Sequence, residues 1–382
     1  MDRTDRGQAR YLMIGGFLGA GKTTTVGKLA RHLAEERGLR VGLITNDQAG
    51  GLVDTRLLRG QGFATEEIAG GCFCCRFNTL MEAAGKLDQA AKPDVFIAEP
   101  VGSCTDLVAT VTYPLRRIYG DAFSIGPLTV LVDPVRARRV FGLEAGGTFS
   151  PKVAYIFRKQ LEEADLIVIS KSDLVEPGPL EELQARLGAE YPRARVMAAS
   201  PRHGTGMEEL FAVLAEGEQG WRNPMEVDYE TYAEGEALLG WLNATVGLRT
   251  EEGEFDANAF LGVLARAVGN RLRDAGAEIA HFKMTFSPDE SLAGELASIH
   301  LTRSDAAPEP GLTLDEPVES GQLIVNLRAE ADPAFLKDAV RAGLDEAAPG
   351  VAGLRFQWEH EEHFRPGKPV PTHRDVAAPV HS

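Results

Sequence analysis

The sequence predicts an α/β domain with a mostly parallel sheet, followed by a smaller α+β domain of ferredoxin-like order. Three observations carry this reading. Short continuous apolar runs alternate with helical spacing through the first half, and a glycine-rich loop separates the first run from the first helix. Near residues 216–236 the chain turns acidic and loses steady periodicity, and beyond it the order of elements changes. A length of 382 residues exceeds what one core usually holds, so two domains are the default.

In chain order, "RYLMIGG" is the first apolar run, and "TTTVGKLARHLAEERG" after it has helical spacing that ends at Gly38. "RVGLITND", "DVFIAEP", "LTVLVDP" and "ADLIVISKSD" follow, each an apolar run closing on polar residues. Runs of this kind predict buried parallel strands, and ligands of such sheets gather beyond the carboxyl ends of the strands. The second half offers "LLGWLNATVGLR", "EIAHFKMTFS", "LASIHLTRS", "GQLIVNLRAEA" and "VAGLRFQWEH" as strands. Helical patterns over "DANAFLGVLARAVGNRLRDAG" and "DPAFLKDAVRAGLDEAA" are set among them, the latter with Asp332 as N-cap and Pro333 at its first position. This is a split β-α-β order with one extra strand. The predicted division is residues 1–218, a linker over 219–236, a second domain over 237–362 and a mobile, Pro-rich tail over 363–382.

The apolar fraction of 44% and charged fraction of 25% are those of an ordinary globular protein. Forty basic against 56 acidic side chains give a formal charge of −16, and no basic stripe is visible, which argues against nucleic acid as a partner. No stretch reads as a signal peptide or membrane span. With four cysteines, the expected setting is cytoplasmic with reduced thiols.

"GFLGAGKT", Gly16 to Thr23, fits G-x-x-x-x-G-K-[ST] between a strand and a helix, the pattern of a phosphate-binding P-loop. Gly16, Gly19, Ala20 and Gly21 supply the loop backbone whose N–H groups face phosphate, helped by the helix dipole. Lys22 is expected to reach the β- and γ-phosphates, Thr23 to hold Mg²⁺ and Thr24 to reach the α-phosphate. Glu99-Pro-Val-Gly102 has an E-x-x-G form in which Glu99 organises Mg²⁺ or its water and the Gly102 amide senses the γ-phosphate. Asp47 ends "GLITND" near the same edge, as a catalytic carboxylate beside Lys22 and Glu99 or as a simple turn residue. Ser170-Lys171-Ser172-Asp173 has the [NTS]-K-x-D arrangement. The Asp173 carboxylate can accept from N1 and N2 of guanine, the Lys171 stem can lie along the base, and Ala199-Ser200 offers a loop near the guanine oxygen. GTP is therefore favoured over ATP.

"GGCFCC" concentrates Cys72, Cys74 and Cys75 in four positions. The C-x-x-C spacing lets one turn present two thiolates to an ion, with Cys74 adding a third sulfur, a donor set suited to Zn²⁺ or another borderline ion. Three ligands leave one position for Cys104, Glu66, Glu67, Asp47 or a client residue. A redox couple of vicinal thiols and a packed apolar cluster are the competing readings.

The succession "GGFLGAGKTT", "GGCFCC", E-x-x-G and "QLEEADLIVISKSDL" resembles the CobW-type GTPases, a group that also contains the urease and hydrogenase accessory GTPases. The resemblance covers residues 10 to 215, while the second domain is similar only in element order. It implies slow GTP hydrolysis coupled to binding and hand-over of Zn²⁺ or Co²⁺. It also implies assembly with a client metalloprotein, a cobalamin-type pathway enzyme or a second copy of the chain. The sequence departs from the group in three ways. Asp47 stands in "NDQAG" where a Glu is usual, Pro100 and Cys104 enter the E-x-x-G region, and a histidine-rich stretch is missing, leaving His281, His300, His360, His363, His373 and His381 scattered. A metal- or redox-sensing switch without delivery and a small-molecule P-loop kinase are the alternative functions.

Overall fold

The computed structural model describes residues 7–46, 58, 62–220, 223–289 and 295–377. The apolar runs of the first half become β1 (Ala9–Gly16), β2 (Val41–Asn46), β4 (Val95–Glu99), β6 (Thr129–Val132) and β7 (Leu166–Ile169). Three strands have no strong apolar run: β3 (Ala64–Ile68), β5 (Phe123–Ile125) and β8 (Arg195–Ala198). All pairings are parallel, in the order β3-β2-β4-β1-β6-β7-β8, with β5 beside the first residues of β1. Every residue of β2, β4, β6 and β7 is buried, as a sheet covered on both faces requires. β3 and β8 are the two edges and are only part-buried, which explains their polar sequences.

Helix α1 (Lys22–Glu35) turns Val26, Leu29, Ala30 and Leu33 onto a core shared with Leu12, Ile14, Leu43 and Ile97. Helix α2 (Phe77–Ala90) begins directly after the cysteine turn and buries Phe77, Leu80, Met81, Ala84 and Leu87. Because β1 lies between β4 and β6, and β7 follows β6, the strand ends bring Gly16, Glu99, Asp133 and Ser170 to one edge of the sheet.

The chain divides into two compact units, residues 1–233 with 368–382 and residues 234–367. The stretch expected as a linker is partly built into the first unit. Tyr232 is fully buried and its hydroxyl donates to the Ser103 carbonyl (3.1 Å), while the Tyr229 hydroxyl donates to Asp106 (2.7 Å). Acidic neighbours hid this aromatic anchor from a reading based on periodicity. Of the tail expected to be mobile, His363 and Phe364 end the last strand of the second unit, while residues 368–377 lie along the first unit. Thr372 N–H donates to the Cys74 carbonyl (2.8 Å), Asp375 N–H donates to the Ala109 carbonyl (2.9 Å), and Arg374 pairs with the buried Asp106 (2.7 Å). Backbone hydrogen bonds and single polar side chains, not an apolar pattern, hold it there.

In the second unit β9 (Leu239–Thr250), β10 (Glu278–Pro288), β11 (Ala297–Leu301), β12 (Glu309–Pro310), β13 (Ser320–Glu330) and β14 (Leu354–Phe364) form an antiparallel sheet. Its order is β12-β11-β10-β13-β9-β14, so β10, β13, β9 and β14 are the four of the split β-α-β set and two strands lie outside it, the expected β11 and the two-residue β12, which has no strand pattern of its own. Helices Ala257–Asp274 and Pro333–Ala347 pack Leu261, Leu264, Val268, Leu336 and Val340 against inward residues such as Val246, Met284 and Val325. Both start on aspartate caps: Asp256 accepts from Ala259 N–H and Asp332 from Ala334 N–H.

If Arg374 anchors the tail, Arg374→Ala should raise deuterium uptake across residues 370–376 within the first minutes of exchange. Uptake in β9 and β13 should be unchanged, and equal uptake in the tail of both proteins would refute the anchor.

Candidate nucleotide and metal site

The phosphate loop leaves β1 at Gly16, whose positive φ of 129° and contact with the Leu131 backbone exclude a side chain. Gly19 and Gly21 also have positive φ, 79° and 85°, and Gly21 is the residue before α1. Lys22 is buried, and its Nζ donates to the carbonyls of Gly16 (2.9 Å) and Phe17 (3.5 Å), which aims the ammonium across the loop mouth. Thr23 Oγ1 donates to Glu99 Oε1 at 3.0 Å. Two hard oxygen donors, one from the first turn of α1 and one from the end of β4, therefore meet beside the loop, a set that fits Mg²⁺. Thr24 is exposed on the first turn of α1. Gly102 sits so near the loop that a Cβ there would lie 2.8 Å from Leu18 N and Leu18 side-chain carbons.

At the other end of the loop, Ser170 donates to the Ala20 carbonyl (2.7 Å) and the Val132 carbonyl (3.0 Å). Its role is to hold the phosphate loop against β6. Lys171, in a left-handed conformation (φ 49°), donates to the Gly19 carbonyl (2.9 Å) and to Asp133 (3.2 Å). The Ser200 hydroxyl, fully buried, donates to Asp173 Oδ1 at 2.5 Å. The carboxylate that would read a base edge is thus fixed by the residue expected to lie beside the base. Asp47 lies outside the described residues. Its neighbour Asn46 donates through Nδ2 to the carbonyls of Ile68 (3.0 Å) and Gly71 (2.7 Å), tying the end of β2 to the approach of the cysteines.

The cysteine turn closes on itself, with the Cys75 and Arg76 N–H groups both donating to the Cys72 carbonyl. Its Sγ atoms stand 2.8 Å (Cys72–Cys74), 3.3 Å (Cys72–Cys75) and 3.7 Å (Cys74–Cys75) apart, and all four cysteines are free thiols. Cys72 and Cys74 are buried and Cys75 is half-buried. Thiol contacts from Cys104, then Cys74 and Cys75, hold the Cys72 thiol well below the ordinary range. The same contacts, Cys104 first, push Cys74 well above it, and the Cys72 contact pushes Cys75 up to about 11. Three sulfurs gathered this closely form a donor set whose chemistry suits a soft cation. Among the described residues, Cys72, Cys74 and Cys75 are the metal-ligating side chains whose donor atoms all lie within 4.8 Å of one another, and neither Glu66 nor Glu67 joins them.

Several residues in this site have no motif to announce them. Asp133 caps the helix Pro134–Val140 and pairs with Lys171. Gln160 donates to the carbonyls of Gly102 (2.9 Å) and Cys104 (2.8 Å), and Glu163 accepts from Thr105 and from Val108 N–H, which fixes the segment after Glu99. Val370 N–H donates to Cys75 Sγ (3.3 Å), Thr372 Oγ1 to the Cys75 carbonyl (2.9 Å), and the His373 ring meets Phe77 edge-on at 5.1 Å. The Asp133-Pro134 pair that closes the apolar run "LTVLVDP" is the sequence signal that points to Asp133.

A parallel sheet with a phosphate loop at its first crossover, an acid paired to the loop threonine and a thiol cluster beside them define a P-loop nucleotide-binding class of protein. The chain belongs, through residues 10–198, to the family described as CobW/HypB/UreG, nucleotide-binding domain. It is 29% identical over 216 residues to a protein of Sinorhizobium sp named zinc chaperone CobW, covering 51% of this chain and 60% of that one. It is 30% identical over 196 residues to the zinc chaperone YjiA of Escherichia coli (strain K12), covering 50% and 55%. The chain thus spans little more than half the length of these curated relatives. Among solved structures, HypB of Archaeoglobus fulgidus is similar over 54% of this chain and 89% of its own, at 22% identity and a TM-score of 0.39. Zn(II)-bound YjiA GTPase from E. coli is similar over 88% and 98%, at 15% identity and a TM-score of 0.35. Among the described residues no helix is long and apolar enough to cross a membrane.

Gly102→Ala should force the segment after β4 away from Leu18. Nucleotide affinity, read by titration with a fluorescent guanine nucleotide, should fall about tenfold or more while circular dichroism is retained. Unchanged affinity would show that the close approach has no bearing on the loop.

Proposed function

We propose that the protein is a GTP-binding and GTP-hydrolysing metallochaperone whose nucleotide state governs binding and transfer of Zn²⁺ or Co²⁺ to a client metalloprotein or a cobalamin-type pathway enzyme. The observation that carries this reading is the short segment Glu99–Cys104. Its first residue holds the loop threonine, and its last contacts two of the clustered thiols. Such a segment lets a change at the phosphates be felt at the sulfurs.

In this reading the backbone of Gly16–Gly21 and the Lys22 ammonium hold the phosphates. Thr23 and Glu99 would hold Mg²⁺, which supplies charge neutralisation at the transferred phosphoryl group when bound. Glu99 and Asp47 are the proposed carboxylates for positioning water, and Gly102 the proposed amide facing the γ-phosphate. Asp173, braced by Ser200, selects guanine. Relatives named as zinc chaperones support the metal class, and a thiol-keeping compartment, the cytoplasm, suits the free cysteines. The 2.8 Å approach of Cys72 and Cys74 also favours a second reading, a redox- or metal-sensing switch without delivery. Metal transfer to an apo-client that is accelerated by GTP separates the two, since a pure sensor transfers nothing.

Two outcomes are expected. Replacing Cys72, Cys74 and Cys75 by Ser should abolish tight Zn²⁺ binding in a chelator competition while leaving nucleotide binding intact. Zn²⁺ affinity equal with GDP and with a non-hydrolysable GTP analogue would sink the coupling. Asp173→Asn should weaken GTP binding by about 10- to 100-fold and leave ATP binding near its original level, as competition calorimetry would read.

A further inference from the structure

Cys104 is the fourth and last cysteine of the chain, 29 positions beyond the "CFCC" turn and outside any metal motif. In the folded chain it is almost fully buried, and its thiol makes contacts of hydrogen-bond type with both Cys72 and Cys74. Two separate loops, one after β3 and one after β4, have therefore delivered all four cysteines to one pocket. We propose that Cys104 is the fourth ligand of the cargo ion, so that the protein binds it as a four-sulfur site with one sulfur carried on the Glu99–Asp106 segment. This rests on the metallochaperone reading above and names the ligand that reading leaves open.

Three arguments support the assignment. Zinc–thiolate bonds of about 2.3 Å in a tetrahedron place sulfurs about 3.8 Å apart. The observed 2.8 to 3.7 Å separations among Cys72, Cys74 and Cys75 need only a small outward spread to admit an ion, whereas the Cys104 thiol, which contacts Cys72 and Cys74 but is not within 4.8 Å of all three sulfurs, must draw in with its segment to complete the set. Next, Cys72, Cys74 and Cys104 are 5%, 1% and 1% exposed, so a sulfur already inside the pocket has the advantage over water or a distant carboxylate. Finally, the Cys104 backbone is held on both sides: its N–H donates to the Val101 carbonyl (2.9 Å), and its carbonyl accepts from Gln160 (2.8 Å). A residue held this firmly is presented to the other thiols rather than merely adjacent to them. Binding exchanges thiol protons for the ion, and the protons leave to solvent.

The consequence is a site that can change its sulfur count. Cys72, Cys74 and Cys75 move as one turn at the start of α2, whereas Cys104 moves with the segment that carries Glu99 and Gly102. A shift of that segment removes one ligand and opens one coordination position, which a client residue can occupy.

X-ray absorption at the zinc edge of the zinc-loaded full chain tests this without a variant. Four sulfurs at about 2.3 Å are expected, and three sulfurs with one nitrogen or oxygen would overturn the proposal. Cobalt(II) titration of Cys104→Ala and Cys104→Ser, with guanine-nucleotide binding as the check on folding, supplies the second reading. The thiolate-to-cobalt charge-transfer intensity should fall to about three quarters of wild type and the affinity about tenfold or more. Intensity and affinity equal to wild type in a folded variant would likewise overturn it. Failure of the wild-type protein to bind either ion would instead remove the metallochaperone reading together with this one.

Discussion

The neighbouring positions of β1 and β4 are the constraint from which the rest of the site follows. Their parallel pairing, with Met13 opposite Ala98, releases the phosphate loop and the Glu99 segment side by side from the same edge. The hydrogen bond from Thr23 to Glu99 then closes the gap between them, and the absence of a side chain at Gly102 lets the second segment lie on Leu18. A residue with a Cβ at position 102 would separate two backbones that must touch. Everything beyond that point, including the path to Cys104, inherits its position from this approach.

Asp106 shows how much the fold commits to the segment. It is a buried carboxylate in a left-handed conformation (φ 66°), and burial raises its pKa despite hydrogen bonds from Tyr229 and Arg374. A strained non-glycine residue costs on the order of 1–3 kcal/mol, and a buried carboxylate adds a desolvation cost, so neither persists without compensation. That compensation comes from two distant parts of the chain, residue 229 and residue 374, which both converge on one side chain. The helix beginning at Tyr229 and the C-terminal tail are therefore fixed to the same segment that runs from Glu99 to Cys104.

The phosphate loop, the acidic segment and the cysteine cluster were legible in the sequence because each needs particular residue types at fixed spacing. The buried strands were legible for a similar reason, since a sheet covered on both faces demands unbroken apolar runs. What escaped was polar and non-local. Edge strands β3 and β8 are part-exposed and carry residues such as Glu66, Glu67 and Arg195, so no periodicity marks them. The tail contains three prolines between residues 366 and 371 and no core pattern, yet Thr372, Arg374 and Asp375 each find a partner made by folding elsewhere. Ser170 and Ser200 were expected to bind the nucleotide, and the structure instead shows them bonded to the Ala20 carbonyl and to Asp173, bracing the phosphate loop and a carboxylate.

For the proposed metal site, the distribution of burial within the thiol cluster also sets how an ion would gain entry. Cys72, Cys74 and Cys104 are enclosed, so Cys75 is the outermost sulfur and the first an arriving ion meets. The tail backbone runs over this side: Val370 N–H bonds Cys75 Sγ, and Thr372 bonds the Cys74 and Cys75 carbonyls. Each such hydrogen bond contributes about 1 kcal/mol net, far less than a zinc–thiolate set supplies. The cover is therefore weak relative to the site beneath it. It screens the thiols from solvent without competing with the ion they are proposed to bind.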